Sequence, residues 1–489
     1  MEKFRLSEDI DPNKIFIINR SELEGRIDPN FYKTVNKKIV NKIKKNNFYT
    51  IKDIVRFSSE TWDQKSIFDS EFPYIEISNI DLSDGTIKDV KLIGVKEAPS
   101  RAKMIVRKND IIISTTRPTR GAISIQKNSS IQIASTGFSV IREINEKLFL
   151  REALFHILRL SFVSIQMGQR SSGGNYPAIT QEELGRIVIP AISLSIQEKI
   201  NNIYNKAYTE KQQKETEAQR LLDSIDDYLL GELGITLPKE EEHLPQNTDK
   251  NNSYNLDNDN PLVKKGRLFL TNLSEVTGKR IDPDYNSKMT YLFSNKGFYN
   301  HILLKELITK QPQYGANEEA KDFENDTDIR YIRITDIDEL GDLKNNNKKT
   351  ANKVETKYFL NYNDLLFARS GSVGRCYIHK KTNEISIFAG YLIRFIVNTD
   401  ICNPDYIFYY CNSNLYKLWV SAIERPAVQS NINAEEYKSL PIPLPPLEKQ
   451  NEITTHISKI RREANVLMKQ GKEILEQAKQ EVERMILGN

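Results

Sequence analysis

The chain has 489 residues, of which 70 are basic and 66 acidic, and its formal net charge of +4 excludes a protein that binds polyanions through overall charge alone. No apolar run approaches the roughly 20 residues that a membrane span needs, and the N-terminus lacks the apolar core of a signal peptide. The three cysteines, an odd number, argue against a disulfide framework. We therefore expect a cytoplasmic protein with no membrane partner.

The dominant feature of the sequence is an internal duplication. Matching residues recur at a separation of 253 positions, among them Phe16 and Phe269, Gly137 and Gly390, Ile179 and Ile432, and Gln197 and Gln450. A repeat of this length has the size of a domain and is too long for a solenoid unit. The sequence therefore predicts two homologous modules related by an approximate twofold axis.

The middle of each copy has the pattern of short strands. Segments rich in β-branched residues and bounded by Gly, Asn, Asp or Ser cover 74–80, 110–114, 122–125 and 138–141 in the first copy and 331–337, 364–368, 376–378 and 391–397 in the second. This pattern favours a mixed or mostly antiparallel sheet. One short helix follows in each copy, over 150–168 and 404–422.

Each copy ends in an extended, proline-containing stretch and then a long helix, predicted over 194–233 and 447–487. In the second helix, apolar or small residues alternate at steps of four and three, which is the pattern of a coiled-coil seam. Because neither seam can stay exposed, we expect the two helices to pack antiparallel to each other. The polar segment 239–260 between the copies predicts a flexible linker.

These patterns predict an α+β fold with two homologous domains, each with a mixed or antiparallel sheet and helices, separated by an antiparallel two-helix coiled coil with pseudo-twofold symmetry. The predicted boundaries are 1–190 for the first domain, 191–235 for the first spacer helix, 236–262 for the flexible polar linker, 263–445 for the second domain and 446–489 for the second spacer helix.

Motifs for catalysis or metal binding are absent from the sequence. Asn403-Pro-Asp-Tyr406 lacks the second proline of the Asn-Pro-Pro-Tyr methyltransferase motif, and no glycine-rich cofactor loop precedes it. Cys376 and His379 have a metal-like spacing, but no second close pair completes a site. We therefore predict no catalytic residue and no bound metal.

Residue types that suit DNA recognition recur at loop positions of both copies. Arginine can fork a guanine edge, Asn or Gln can pair with adenine, and Ser and Thr can hold phosphates. Alternatively, the Gly and Asn residues only build turns and the arginines are solvated. The candidate DNA-binding residues are Arg117, Thr119, Arg120, Arg170, Asn175 and Tyr176 in the first copy, and Arg369, Ser370, Arg375, Arg425, Gln429 and Asn431 in the second.

Three elements, present in both copies, carry a resemblance to a known family. They are Ser-Glu-Leu-Glu-Gly-Arg-Ile-Asp-Pro at 21–29, Tyr-Ile-Glu-Ile-Ser-Asn-Ile at 74–80 and Ile-Pro-Leu-Pro-Pro-Leu-Glu-Lys-Gln at 442–450. In this order, doubled and followed by long helices, they resemble the specificity (S, HsdS) subunits of type I restriction-modification systems. The resemblance covers nearly the whole chain, although the first copy departs at 189–197, where Pro-Pro is lost.

The resemblance implies a non-catalytic reader of DNA. Each module would be a target-recognition domain for one half of an asymmetric bipartite site in double-stranded DNA, and the long helices would space the domains and dock two methyltransferase (M) subunits. No cofactor is expected in this chain, since S-adenosylmethionine, ATP and Mg would act in the M subunits and the restriction (R) subunits. The two copies diverge between their anchors, so the half-sites should differ, with centres about 10 base pairs apart.

Two other functions remain open at this point. One is a self-sufficient DNA methyltransferase or nuclease with degenerate motifs, which would modify DNA without a partner. The other is a coiled-coil scaffold with two protein-binding modules, which would lack the steep salt dependence that phosphate contacts give to DNA affinity.

Overall fold

The computed structural model divides into two compact units, each containing one copy of the repeat. Unit 1 comprises Met1–Glu217 and Val466–Asn489, and unit 2 comprises Ala218–Asn465. The structure describes residues 7–237 and 280–488, except for 8, 12, 13, 26, 281, 283, 284, 287, 290, 291, 293–296, 324, 326, 346, 382 and 425–429. The predicted linker lies outside the described residues from position 238 onward. Within the described part of the chain, no helix has the length and apolarity that a membrane crossing requires.

Unit 1 is built from ten strands and six helices among its described residues. The strands are β1 Phe48–Thr50, β2 Val55–Phe57, β3 Glu71–Ile75, β4 Lys91–Gly94, β5 Ala102–Val106, β6 Ile111–Ser114, β7 Ile123–Ile125, β8 Gln132–Ser135, β9 Phe138–Ile144 and β10 Val188–Pro190. The helices are α1 Thr34–Lys44, α2 Ile51–Ile54, α3 Arg151–Leu158, α4 Ser161–Arg170, α5 Gln181–Gly185 and α6 Leu194–Leu233, the last of which continues into unit 2.

Unit 2 has ten strands and five helices among its described residues, in a broadly similar order. Its strands are β11 His301–Leu303, β12 Gln313–Tyr314, β13 Ala320–Asp322, β14 Arg330–Ile332, β15 Lys349–Ala351, β16 Leu365–Ala368, β17 Cys376–Ile378, β18 Ser386–Phe388, β19 Leu392–Phe395 and β20 Pro441–Pro443. Its helices are α7 Leu304–Leu307, α8 Pro404–Tyr410, α9 Asn414–Ile423, α10 Ala434–Lys438 and α11 Leu447–Leu487, the last of which continues into unit 1.

The sheets are mixed, as the sequence predicts. In unit 1 the strand orders are β2-β9-β6-β7, which is antiparallel throughout, and β4-β3-β8-β5, in which β3 and β8 run parallel. Unit 2 has the corresponding antiparallel sheet β12-β19-β16-β17 and a parallel pair of β14 with β18. The extended proline-containing stretches form β10 and β20, which pair with β1 and β11.

The central strand β6 shows why these segments form strands. Successive side chains of a strand point to opposite faces of the sheet. Ile111 and Ile113 accordingly pack into the larger apolar core against the helices, whereas Ile112 packs into a smaller core between the sheets. A continuous apolar run is therefore expected, because both faces of this strand are buried.

A buried glutamine at the repeat separation ties the long helix of each unit to its domain. In unit 1, the Gln197 Oε1 atom accepts the Leu150 N–H at 2.7 Å, and its Nε2 group donates to the Leu148 carbonyl at 2.8 Å. In unit 2, the Gln450 Oε1 atom accepts the Asn403 N–H at 2.8 Å in the same way. This pair of residues, 253 positions apart, thus has the same role in both units, since each glutamine accepts the N–H at the start of the helix that follows the antiparallel sheet, α3 or α8.

The two long helices, α6 and α11, have the predicted bounds and run antiparallel within each unit. In unit 1, Ala207 packs against Leu475 and Ala478. In unit 2, the Lys449 ammonium lies near Glu232 and the His456 ring stacks on Tyr228, so residue numbers rise along one helix as they fall along the other. The boundary between the units falls inside both helices. The α+β fold with repeated domains and a packed helix pair is therefore confirmed.

The prediction of one short helix after the sheet was wrong in both copies. The segment 150–168 contains two helices, α3 and α4, and 404–422 contains α8 and α9. The break before α9 is made by Ser413, whose hydroxyl accepts the Tyr416 N–H as an N-cap and starts a new helix. The break before α4 occurs at Leu160, whose backbone is extended.

Candidate nucleic-acid interface

In unit 1, two candidate loops are joined edge to edge by main-chain hydrogen bonds. The turn after β6 begins at Thr115, whose carbonyl accepts the Ile179 N–H at 2.9 Å. Two residues later, the Arg117 N–H donates to the Pro177 carbonyl at 2.7 Å. Arg117 has a left-handed φ of 47°, which redirects the chain into the following turn at Pro118. The loops that carry Arg117 and Asn175 therefore form one surface.

Arg117 is presented by an aromatic neighbour. Its guanidinium lies over the Tyr176 ring, 4.1 Å from the centroid, and donates to the Asn175 carbonyl at 3.2 Å. The Tyr176 side chain is 71% exposed, so this pair lies at the surface. Stacking holds the planar guanidinium in place while leaving donors free for an acceptor such as a guanine edge.

Thr119 and Arg120 lie in the next turn, and both are exposed. The Thr119 carbonyl accepts the Ser164 hydroxyl at 3.3 Å, which anchors this turn to α4. The Arg120 guanidinium makes no hydrogen bond or ion pair within the described part of the chain. An exposed, unpaired cation near Arg117 suits a contact with a DNA phosphate.

Arg170 differs from the other candidates. It ends helix α4 instead of lying in a loop, and it is only 8% exposed. Its guanidinium lies 2.9 Å from Glu183, 3.2 Å from Glu24 and over the Phe31 ring. The expected exposed loop position was wrong because α4 continues to this residue. The geometry favours a role in positioning the segments around Arg170 over a contact with DNA.

Unit 2 repeats the main-chain arrangement with different side chains. The Arg369 carbonyl accepts the Ile432 N–H at 2.8 Å, and the Arg369 N–H donates to the Tyr391 carbonyl. In unit 1, the Thr115 N–H donates to the Gly137 carbonyl in the same way. A bridge between Ser370 and Asn431 corresponds to that between Thr116 and Ala178. Unit 2 thus has an arginine where unit 1 has Thr115.

Arg369 is also held by an aromatic ring. The guanidinium lies over Tyr314, 5.0 Å from the centroid, and Tyr314 and Tyr391 are both exposed. Ser370 is buried, with 9% of its surface accessible, whereas Asn431 is exposed. Neither tyrosine was identified from the sequence. Tyr391 could have been found from its place after the repeated Gly390, but Tyr314 lies in a segment with no matching anchor.

The turn that contains Arg375 is supported from inside unit 2. The Tyr437 hydroxyl donates to the Ala368 carbonyl at 2.6 Å and accepts the Gly374 N–H at 3.2 Å. Burial raises the pKa of Tyr437, so the hydroxyl remains a donor at neutral pH. The Arg375 guanidinium donates to the Ile337 carbonyl at 2.7 Å, which favours a supporting role. Arg425 and Gln429 lie outside the described residues.

A sequence model of the family described as type I restriction modification DNA specificity domain matches the chain twice, over residues 43–220 and 299–477. The chain is similar to the type I restriction enzyme EcoBI specificity subunit of Escherichia coli, with 24% identity over 206 residues, which are 40% of this chain and 43% of that protein. It is also similar to the type I restriction enzyme HindI specificity subunit of Haemophilus influenzae, with 27% identity over 158 residues, 32% of this chain and 33% of that protein. Each match spans less than half of the relative's length.

Solved structures include chains of similar extent. The HsdS subunit from Thermoanaerobacter tengcongensis is 20% identical with a TM-score of 0.34, and the alignment covers 90% of this chain and 96% of that one. The S subunit of the type I restriction-modification system from M. genitalium is 8% identical with a TM-score of 0.37, covering 89% and 95%.

Proposed function

Because this chain belongs to the family of type I restriction modification DNA specificity domains, we propose that it is the DNA sequence-recognition subunit of a type I restriction-modification complex. Each unit reads one half of an asymmetric bipartite site in double-stranded DNA. The observation that carries this proposal is the repeated loop frame, which has the same main-chain hydrogen bonds in both units but presents Arg117 with Tyr176 in one and Arg369 with Tyr314 in the other.

The proposal assigns no catalysis to this chain. Two methyltransferase subunits supply adenine methylation with S-adenosylmethionine, and restriction subunits add cleavage driven by ATP and Mg. In the described residues, no three His, Cys, Asp or Glu side chains are grouped to hold a metal ion. The proposed location is the cytoplasm, where the DNA and the partner subunits are found.

The decisive experiment is methylation mapping across a genome that carries this chain together with its methyltransferase subunit. We expect one asymmetric bipartite motif that disappears when this chain is deleted. A methylation pattern that does not change on deletion contradicts the proposal.

Two biochemical measurements separate the alternatives. The purified chain, given labelled S-adenosylmethionine and mixed DNA, should transfer no methyl groups, whereas a self-sufficient methyltransferase would do so. The DNA affinity of the methyltransferase complex should fall by about 10³-fold or more as salt rises from about 50 to about 200 mM, which a protein-binding scaffold would not show.

A further inference from the structure

In each unit, the turn that contains Gly137 or Gly390, called here the glycine turn, contacts a second segment in which none of the candidate residues lies. Thr136 and Gly137 form this turn in unit 1, and Gly390 lies in it in unit 2. One side of the turn contacts Thr115 or Arg369, as described above. On the other side, the Thr136 N–H donates to the Arg101 carbonyl at 2.8 Å, and the Gly390 N–H donates to the Ala316 carbonyl at 2.7 Å. The segments that carry Arg101 and Ala316 therefore extend the candidate interface of each unit.

Each flanking segment presents an unpaired polar side chain. Arg101 and Asn317 are both exposed. Neither the Arg101 guanidinium nor the Asn317 amide makes a hydrogen bond or ion pair with any residue that the structure describes. Both groups are thus available to an external partner, and each belongs to a segment that is hydrogen-bonded to the same glycine turn as the candidate loop of its unit.

The Asn317 side chain lies directly against the turn at Gly390. A Cβ atom at this position would lie 2.6 Å from the Asn317 Oδ1 atom and 3.3 Å from the Ala316 carbonyl oxygen. Gly390 does not have a positive φ, so its backbone conformation alone does not require glycine. The absence of a side chain is what lets the Asn317 amide lie against the turn.

We propose that the position beside the glycine turn is a further specificity position in each unit, at which Asn317 reads adenine and Arg101 reads guanine. This inference rests on the proposed DNA-reading function. The Asn amide has the adjacent donor and acceptor that match N7 and N6 of adenine, and the Arg fork matches O6 and N7 of guanine.

The two residues come from parts of the repeat that are not equivalent. Arg101 immediately precedes β5, which runs antiparallel to β8, whereas Asn317 follows β12 and its neighbour Ala316 pairs in parallel with Ala389. The position beside the glycine turn is therefore occupied by different segments in the two units. The segment of Arg101 runs antiparallel to the chain that leads into the turn, whereas the segment of Asn317 runs parallel to it. This difference gives the two units distinct base preferences at one place on a shared frame.

The test is selection from randomised duplex DNA with the complex of this chain and its methyltransferase subunits. We expect Asn317→Ala to lose adenine preference at one position of one half-site, by about 5- to 150-fold, and Arg101→Ala to lose guanine preference at one position of the other. Asn317→Asp should change the preferred base from adenine toward cytosine, because a carboxylate accepts from the cytosine amino group but cannot donate. Asn361→Ala and Lys108→Ala are matched controls, since both residues are exposed and lie away from the glycine turn. Asn361 precedes the start of β16, and Lys108 follows the end of β5.

Gly390→Ala provides a second, independent variant. The new methyl group displaces the Asn317 amide, so this variant should reproduce the Asn317→Ala consensus, and the double variant should show no further loss. If Asn317→Ala and Gly390→Ala both select the wild-type consensus, the inference is overturned while the proposed function stands. If the wild-type complex selects no consensus, the proposed function itself fails.

Discussion

Arg117 and Arg120 show how two arginines in one turn can have different roles. Arg117 is fixed by the Tyr176 ring and the Asn175 carbonyl, which orients its fork. Arg120 is exposed, and its guanidinium makes no hydrogen bond or ion pair in the described part of unit 1. An oriented fork can distinguish bases, whereas an unrestrained cation mainly neutralises phosphate.

Substitution of these two residues should therefore have different effects. We expect Arg117→Lys, which keeps the charge but loses the planar fork, to reduce discrimination at one base by about 5- to 150-fold while affinity for unrelated DNA changes little. Arg120→Ala should weaken binding to all sequences and reduce the salt slope by about one. Competition binding with matched and mismatched duplexes at several salt concentrations measures both effects. Equal behaviour of the two variants would contradict the assignment.

His156 makes the stability of unit 1 dependent on pH. It is buried and stacks on the Tyr204 ring at 3.9 Å, and burial, with nearby Arg159 and Lys127, lowers its pKa from 6.5 to about 3. The unfolded chain takes up this proton near pH 6.5, but the folded chain takes it up only near pH 3. The contribution of neutral, buried His156 to the free energy of unfolding is therefore complete above pH 6.5 and declines as the pH falls toward 3.

His156→Phe should remove this dependence, because phenylalanine keeps the stacked ring without a titrating group. Between pH 6.5 and 5, His156 should contribute at most about 1.4 kcal/mol per pH unit to the fall in the free energy of unfolding of unit 1, and the variant should lack this contribution. Urea unfolding at several pH values measures the slope. His379, whose pKa is lowered to about 4 by burial, provides the comparison, since His379→Phe should flatten the transition of unit 2 instead. If the free energy of unfolding of His156→Phe depended on pH as steeply as that of the wild type, this explanation would be wrong.

At the scale of elements, the joint between each domain and its long helix is a single buried glutamine. Gln197 satisfies the Leu150 N–H and the carbonyls of Leu148 and Ile192. Gln450 makes the equivalent three hydrogen bonds in unit 2. This arrangement explains why the first copy tolerates the loss of Pro-Pro at 189–197, since the glutamine retains its position and partners.

Gln197→Leu should destabilise unit 1, because it leaves three partly buried main-chain groups without their side-chain partner, at a cost of up to about 1–3 kcal/mol each. Thermal unfolding should show a transition lower by several degrees, and hydrogen exchange at the Leu150 amide should accelerate. Gln213→Leu is the control, since this residue is exposed on the same helix. Equal stability of the two variants would show that the joint does not depend on the glutamine.

At the scale of the whole molecule, the chain contains two copies of the family's domain, and its two long helices each contribute residues to both units. We proposed from the sequence that these helices set the gap between the half-sites. In unit 1, Ala207 packs on Leu475 and Ala478, and Gly471 lies opposite Lys211, so this stretch of α6 packs directly along α11.

Insertion of one heptad within 207–218 of α6, with a matching heptad within 466–478 of α11, should change the preferred gap. Seven residues add about 10 Å of helix, which corresponds to about 3 base pairs. Binding selection should return the same two half-sites with a different separation. An unchanged separation would exclude the helices as the ruler.

The sequence by itself determined the duplication, the mixed sheets and the bounds of both long helices, because periodicity and paired anchors are local properties that survive divergence. The sequence also placed both Arg117 and Tyr176 among the candidate residues, since they lie on loops between residues that recur in both copies. The predicted domain boundaries and DNA contacts remain predictions. Only the tertiary structure decided that Arg170 is buried between two carboxylates, and that Tyr314, Arg101 and Asn317 lie beside the candidate loops. These placements depend on strand pairing between segments distant in the chain, and the divergent regions have no repeat against which sequence could align them.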